Sequence, residues 1–221
     1  MQRHPENINL HLFDGETFEG LPVMKDKGYL IAEYLASLKK TIDLALQQYP
    51  RLLAFRVDLR FPVGVNLPSN AYTNETLSRF FEYFKATIEH NRACAREHNS
   101  NAHDCKVRYV WAREVGQGQR PHYHVLMLLN RDAFYTIGRL GSEAPNMINR
   151  MQEAWAWALG LSIGQVSGLV HIPDSAEYRV DRTACGDVAL LPELFYRASY
   201  LCKAATKVYG DRQRNFDTSR G

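Results

Sequence analysis

Much that would narrow the function of this chain is missing from it. Only four cysteines occur (Cys94, Cys105, Cys185 and Cys202). Their spacing fits no disulfide framework, which excludes a stapled secreted scaffold and leaves free thiols. No apolar run approaches the roughly 18 residues of a membrane helix. The start, Met1-Gln2-Arg3-His4-Pro5, lacks the apolar stretch of a secretory signal. No membrane partner is therefore expected, and a cytoplasmic location follows by default. Net charge is small too: a formal +3 permits a nucleic-acid partner without arguing for one. Gly116-Gln117-Gly118 has no Lys-Ser/Thr after it and leads from one strand into another, so it is no phosphate-cradling loop. Repeats and low-complexity tracts are also absent. What remains is an ordinary globular composition, 45% hydrophobic and 23% charged, over a length that suits one domain.

Periodicity divides the chain. Residues 1 to about 26 are polar and read as an irregular surface extension. Leu30, Ile31, Tyr34, Leu35, Leu38, Ile42 and Ala45 have helical spacing, and Pro50 stops that helix. Leu53–Phe61 alternates strictly, with Arg56, Asp58 and Arg60 opposite an apolar face, which predicts a strand. Thr73 or Asn74 can cap a second helix through Leu77, Phe80, Phe81, Phe84 and Ile88 to about Glu97. Strands are predicted at Cys105–Val115 and His122–Leu129, and a helix over about Glu143–Leu159. A short strand follows near Val166–Ile172, and a last helix runs from about Pro192 to Val208. The central order β-α-β-β-α-β predicts an α+β, ferredoxin-like antiparallel sheet with helices packed on it. Three regions follow: 1–50, an extension plus helix; 51–209, the main domain; 210–221, a basic tail.

The most informative residues are His122-Tyr123-His124, at the head of the apolar run Val125–Leu129. On a strand both imidazoles point to one face, ~7 Å apart along the chain. A hairpin through the Gly-rich connection would bring Glu114 beside them. Two imidazoles and a carboxylate suit a divalent cation with open positions; this mixed set suits Mn²⁺, with Mg²⁺ the cellular substitute. On the last helix, Tyr196, Tyr200, Lys203 and Lys207 fall at i, i+4, i+7 and i+11, one face.

Tyr200-x-x-Lys203 together with His122-x-His124 resembles the HUH endonuclease superfamily. With Pro121–Val125 and the ending Arg214-Asn215-Phe216-Asp217-Thr218-Ser219-Arg220-Gly221, the chain looks like the replication proteins of filamentous phages (inoviruses) and related prophages. One departure is Asp217, where that family would lead one to expect Gly. The resemblance covers most of Leu52–Gly221. It implies nicking and rejoining of single-stranded or hairpin origin DNA in rolling-circle replication. Tyr200 would be the nucleophile, forming a 5′-phosphotyrosine, with Lys203 assisting and Tyr196 either structural or a second nucleophile. His122, His124 and Glu114 would hold the metal, and a separate helicase would unwind the duplex.

Other readings stand beside this one. A DNA-binding phage or prophage regulator could keep the fold without cleavage, and a relaxase or transposase could share the active site. Cys94, His98, His103 and Cys105 could be read as a zinc site, against the plainer reading of a helix end followed by a polar loop. Two-histidine-one-carboxylate sets also occur in non-haem iron oxygenases, which are built on a different, double-sheet scaffold.

Overall fold

The computed structural model describes residues 2–116, 120–139, 141, 145–182 and 190–220. Mixed α/β architecture results, with antiparallel sheets and, among the described residues, four α-helices. The chain opens with β1 (Gln2–His4) and β2 (Asn7–Phe13), paired antiparallel. A small hairpin, β3 (Thr17–Phe18) and β4 (Leu21–Pro22), precedes β5 (Leu30–Ile31), which joins β2 in a three-stranded sheet. These first residues were expected to be irregular, and the structure corrects that. Leu10 and Leu12 alternate with Asn9 and His11, and the two leucines are buried. The strand signal was present but short.

Helix α1 (Ala32–Gln48) buries Leu35, Leu38, Ile42 and Ala45, and ends ahead of Pro50. Then come β6 (Arg51–Leu59), α2 (Asn74–His98), β7 (Arg108–Val115) and β8 (Pro121–Asn130). Helix α3 (Met147–Leu159) starts where the Asn146 side chain accepts the Asn149 N–H at 3.0 Å. Gly160, with φ 67°, ends it in the left-handed conformation that a side chain would strain. The expected start at Glu143 lies outside the described residues. After α3 come β9 (Val170–His171), β10 (Glu177–Asp181), α4 (Leu190–Ala198) and β11 (Phe216–Thr218).

The central sheet has the order β10-β6-β8-β7-β11, every neighbour antiparallel, with β9 pairing the end of β6. The final long strand of the sheet is therefore β10. The stretch expected to supply it holds only a 3₁₀ turn (Ile163–Val166) and the two residues of β9.

Alternation assigns each residue to a layer. Odd residues of β6 and β8 (Leu53, Phe55, Val57, Leu59; Tyr123, Val125, Met127, Leu129) pack with Phe80, Phe84, Met151 and Trp155 of α2 and α3. Even residues (Leu52, Ala54; Leu126, Leu128) pack with Leu35, Leu38 and Ile42 of α1 and Leu194 and Phe195 of α4. At about 1.5–3 kcal/mol for each large apolar side chain removed from water, these two layers supply the driving force for folding. Toward one end of the second layer the even positions turn polar: Arg56, Asp58, His122, His124 and Glu114.

Candidate metal centre and its tyrosine

Pairing of β7 with β8 places Glu114 opposite His122 and Ala112 opposite His124. The three functional side chains thus share one face. Glu114 Oε2 lies 3.6 Å from His122 Nε2 and 3.3 Å from His124 Nε2. One ligand atom from each of the three residues falls within 4.8 Å of the others. Glu114 and His124 are buried, while His122 is partly open to solvent.

Asp58 on β6 faces His124 across the β6–β8 pair, and its Oδ1 is 2.6 Å from His124 Nδ1. Arg56 Nη2 also comes within 3.0 Å of that nitrogen, but one ring nitrogen cannot donate to Asp58 and accept from Arg56 at once. The shorter carboxylate contact decides the tautomer: Nδ1–H donates to Asp58, and Arg56 Nε donates to Asp58 Oδ1 at 3.1 Å. The lone pair of a neutral His124 then sits on Nε2, aimed at the Glu114 carboxylate. Two lone pairs facing each other over 3.3 Å call for a proton or a cation between them. Both His124 Nε2 and Glu114 Oε1 are buried without a hydrogen-bond partner. These orphaned atoms fit a divalent cation held by Glu114, His122 and His124. Asp58 orients one imidazole, as carboxylates behind metal-binding histidines commonly do.

The electrostatics agree. Burial alone would raise the Glu114 pKa, but contacts with His122 and His124 and the charge of Lys207 hold it well below the carboxylate range. Burial likewise opposes ionisation of Asp58, and its bonds to His124 and Arg56 prevail, lowering its pKa. Lys207 is so thoroughly buried that its ammonium is pushed down to about 8, even with Glu114 Oε1 at 3.8 Å.

The last helix departs from expectation. Its α-helical part ends at Ala198; Ser199–Cys202 is a 3₁₀ turn and Lys203 is extended. The four-residue helical face through Lys207 therefore does not form. Ser199 Oγ donates to the Tyr196 carbonyl and accepts the Met24 N–H at 2.8 Å, competing with helix propagation. Lys203 bridges to Leu30, and the Ala204 N–H donates to the Tyr29 carbonyl at 2.9 Å. The N-terminal segment thus ends the helix and sets the path of the chain beyond it.

That path still brings Tyr200 to the cluster. Its ring meets His124 edge-on, centroids 5.4 Å apart, and Arg56 Cζ sits 4.7 Å above it. Lys203 Nζ donates to the Tyr200 hydroxyl and lies 3.1 Å from Glu114 Oε2. Tyr196 stays on α4, where its carbonyl accepts the Ser199 hydroxyl. A groove of about 320 Å³, lined by Arg60, Val63, Arg120, His122 and His124, opens beside the paired imidazoles.

Sequence reasoning did not single out Asp58 as part of the centre, and it offered Arg56, with Arg60, only as a DNA-backbone contact if their strand face turned toward the metal; the alternation of Asp58 with Val57 was the available signal. The alternative zinc site finds no support. Cys105 is buried, accepting the Asn130 N–H at 3.3 Å, while Cys94 contacts His90 on α2. Among the described residues the one gathered set of metal-ligating groups is Glu114, His122 and His124.

Fold and site together define an α/β protein whose antiparallel sheet carries a carboxylate–bis-imidazole cluster with a tyrosine and a lysine beside it. The chain belongs to the YagK/YfjJ C-terminal domain family, whose sequence model matches residues 13–219. It is 31% identical to YagK of Escherichia coli K12 over 198 residues, covering 87% of this chain and 95% of that one. Identity to YfjJ of the same organism is 28% over 201 residues, covering 88% and 97%. Both relatives are described as uncharacterized. Among solved structures, the N-terminal nuclease domain of the minute virus of mice non-structural protein 1 is similar over 83% of this chain and 77% of its own. The TM-score of 0.28 and 13% identity are too low for that likeness to carry an argument. No helix among the described residues is long and apolar enough to cross a membrane.

Proposed function

We propose that this protein is a metal-dependent endonuclease that nicks and rejoins single-stranded DNA through Tyr200. The observation that carries the reading is that Lys203, whose ammonium donates to the Tyr200 hydroxyl, also lies 3.1 Å from the Glu114 oxygen that faces both imidazoles, while the Tyr200 ring packs against His124. The antiparallel order β10-β6-β8-β7, with α2 and α3 on one face, supports a ferredoxin-like core of the HUH type. The roles follow from chemistry. A cation held by His122, His124 and Glu114 would supply Lewis-acid polarisation of the scissile phosphate. The Tyr200 phenol must lose its proton to attack, and the Lys203 ammonium donating to its oxygen stabilises the phenolate. The phenolic oxygen forms a bond to phosphorus, the bond to the 3′-oxygen breaks, and that oxygen leaves as a 3′-hydroxyl after protonation from solvent. The reverse displacement rejoins the strand without ATP. Tyr196, one helical turn before Tyr200, is either structural or a second nucleophile in this reading. Rolling-circle initiation in a phage or prophage, at an origin opened by a separate helicase, is the biological setting this chemistry fits. A relaxase or transposase would use the same centre on a different DNA.

The test uses 3′-labelled single-stranded oligonucleotides carrying hairpins with randomised loops, incubated with Mn²⁺. A protein–DNA adduct that survives boiling in detergent is expected, abolished by Tyr200→Phe and by EDTA. An adduct undiminished in Tyr200→Phe would remove the tyrosine from the reaction.

One observation favours a second reading. The Lys203 ammonium already occupies the Glu114 oxygen that a cation would need. A DNA-binding regulator of the same fold would keep that lysine in place, and calorimetric titration with Mn²⁺ would then show no binding that depends on His122 and His124.

A further inference from the structure

A cavity of about 530 Å³ lies away from the metal cluster. Trp111 and Tyr109 are odd residues of β7, so the cavity they line opens on the face opposite Glu114, across the edge strand β11. Its floor is aromatic: Tyr109 stacks on Phe81 at 3.6 Å, and Lys85 Nζ lies 4.9 Å above the Tyr109 ring. Its outer wall is the segment 212–220, held against the start of α2. The Gln213 side chain accepts the Asn74 N–H at 2.9 Å, and Asn74 Nδ2 donates to the Arg214 carbonyl at 2.9 Å. The charge along that wall is uneven. Asp217 is paired with Arg214, and Glu75 is the other carboxylate lining the cavity. Arg212 and Arg220, at the two ends of the wall, are exposed guanidinium groups. With Lys85 they leave a positive margin spread along the cavity rather than gathered at one point.

We propose that this cavity is a second DNA-binding site, taking the phosphodiester backbone of single-stranded DNA at a place separate from the cleavage centre. A guanidinium at each end of an open groove suits a chain of phosphates better than one anion, and the aromatic and amide floor suits sugars and base edges. Continuity strengthens the assignment. The segment that carries Lys203 and Lys207 beneath Glu114 continues through Asp211, which binds Arg113 at 2.6 Å, into this wall. A strand leaving the metal centre over β11 would meet the groove next. The choice of DNA rests on the proposed nuclease reading, and the following measurement keeps the two separable.

Binding of a fluorescein-labelled 15-nucleotide oligothymidine is measured by anisotropy in EDTA, so that cleavage plays no part. The double variant Arg212→Ala/Arg220→Ala should weaken binding at least tenfold. It should also lower the slope of log K against log salt by about 1.4, from ~0.7 for each of two phosphates. Lys25→Ala/Lys27→Ala, which removes equal exposed charge elsewhere, should leave both unchanged, and circular dichroism checks that each variant is folded. A wild-type affinity in the first variant, or an equal loss in the second, overturns the groove. So does competition by free thymidine monophosphate as effective as by the oligonucleotide, which would make it a mononucleotide pocket. If the groove variant loses binding while Mn²⁺ produces no adduct in the wild type, the groove stands and the nuclease reading falls.

Discussion

The two faces of the central sheet are made from the same strands and differ in one respect. On the odd face the apolar positions run from Leu53 to Leu59 on β6 and from Tyr123 to Leu129 on β8, buried under α2 and α3. On the even face α1 and α4 cover only half, and beyond the end of α4 the positions become Arg56, Asp58, His122, His124 and Glu114. A buried polar cluster is costly unless every charge finds a partner. The cluster survives because its charges neutralise one another and because the well-packed opposite face supplies the stability. One face holds the fold and the other holds the candidate metal centre.

Four sets of substitutions would break or sharpen that contrast. The largest is on the apolar face: Phe55→Ala should cost about 3–5 kcal/mol, read from urea unfolding, because the fully buried ring leaves a cavity. His122→Ala, on a half-open side chain, should change stability by less than about 1 kcal/mol while abolishing Mn²⁺ binding. Equal destabilisation by the two would end the division of labour. Next come the cluster's charges. Glu114→Leu strands Lys203 and Lys207 and should cost about 3–5 kcal/mol, and adding Lys207→Met to it should recover part of that loss, because one stranded buried ammonium is removed. No recovery in the double variant would show that the Lys207 side chain serves the fold apart from its pair with Glu114.

Third, Asp58→Asn should weaken Mn²⁺ binding about 10–100-fold by calorimetry, since it orients His124 without ligating. It should also flatten the acid limb of stability. A carboxylate with a lowered folded pKa contributes stability that is fully present above its unfolded value of about 3.9. That contribution is lost as pH falls through the lower folded value. Melting temperatures between about pH 5 and 2 should therefore fall less steeply in Asp58→Asn than in the wild type. The smallest effect belongs to the surface. Arg214→Ala breaks an exposed pair with Asp217 and should cost at most about 1 kcal/mol.

Much of this was legible before the structure. The His122-x-His124 spacing and the Gly-rich connection implied a hairpin that gathers Glu114, and the strand register does so. Helix and strand positions in the middle of the chain matched to within a few residues. The misses have physical causes. Asn9-Leu10-His11-Leu12 carried a two-residue period too brief to stand out from the polar residues around it. Glu177–Asp181 has only Tyr178 and Val180 as apolar alternates, so its strand depends on pairing with β6. The last helix kept an unbroken helical pattern through Lys207, yet it stops at Ala198, where Ser199 is claimed by the Met24 N–H.

The sequence by itself determined the layers. Side-chain periodicity assigns residues to faces wherever enough of them repeat, and local chain geometry enforces that assignment. Only the tertiary structure decided which polar residues meet. Asp58 reaches His124 through the pairing of β6 with β8, and Lys203 and Tyr200 reach the cluster through a helix end set by residues 24–31, long-range choices that no local pattern encodes.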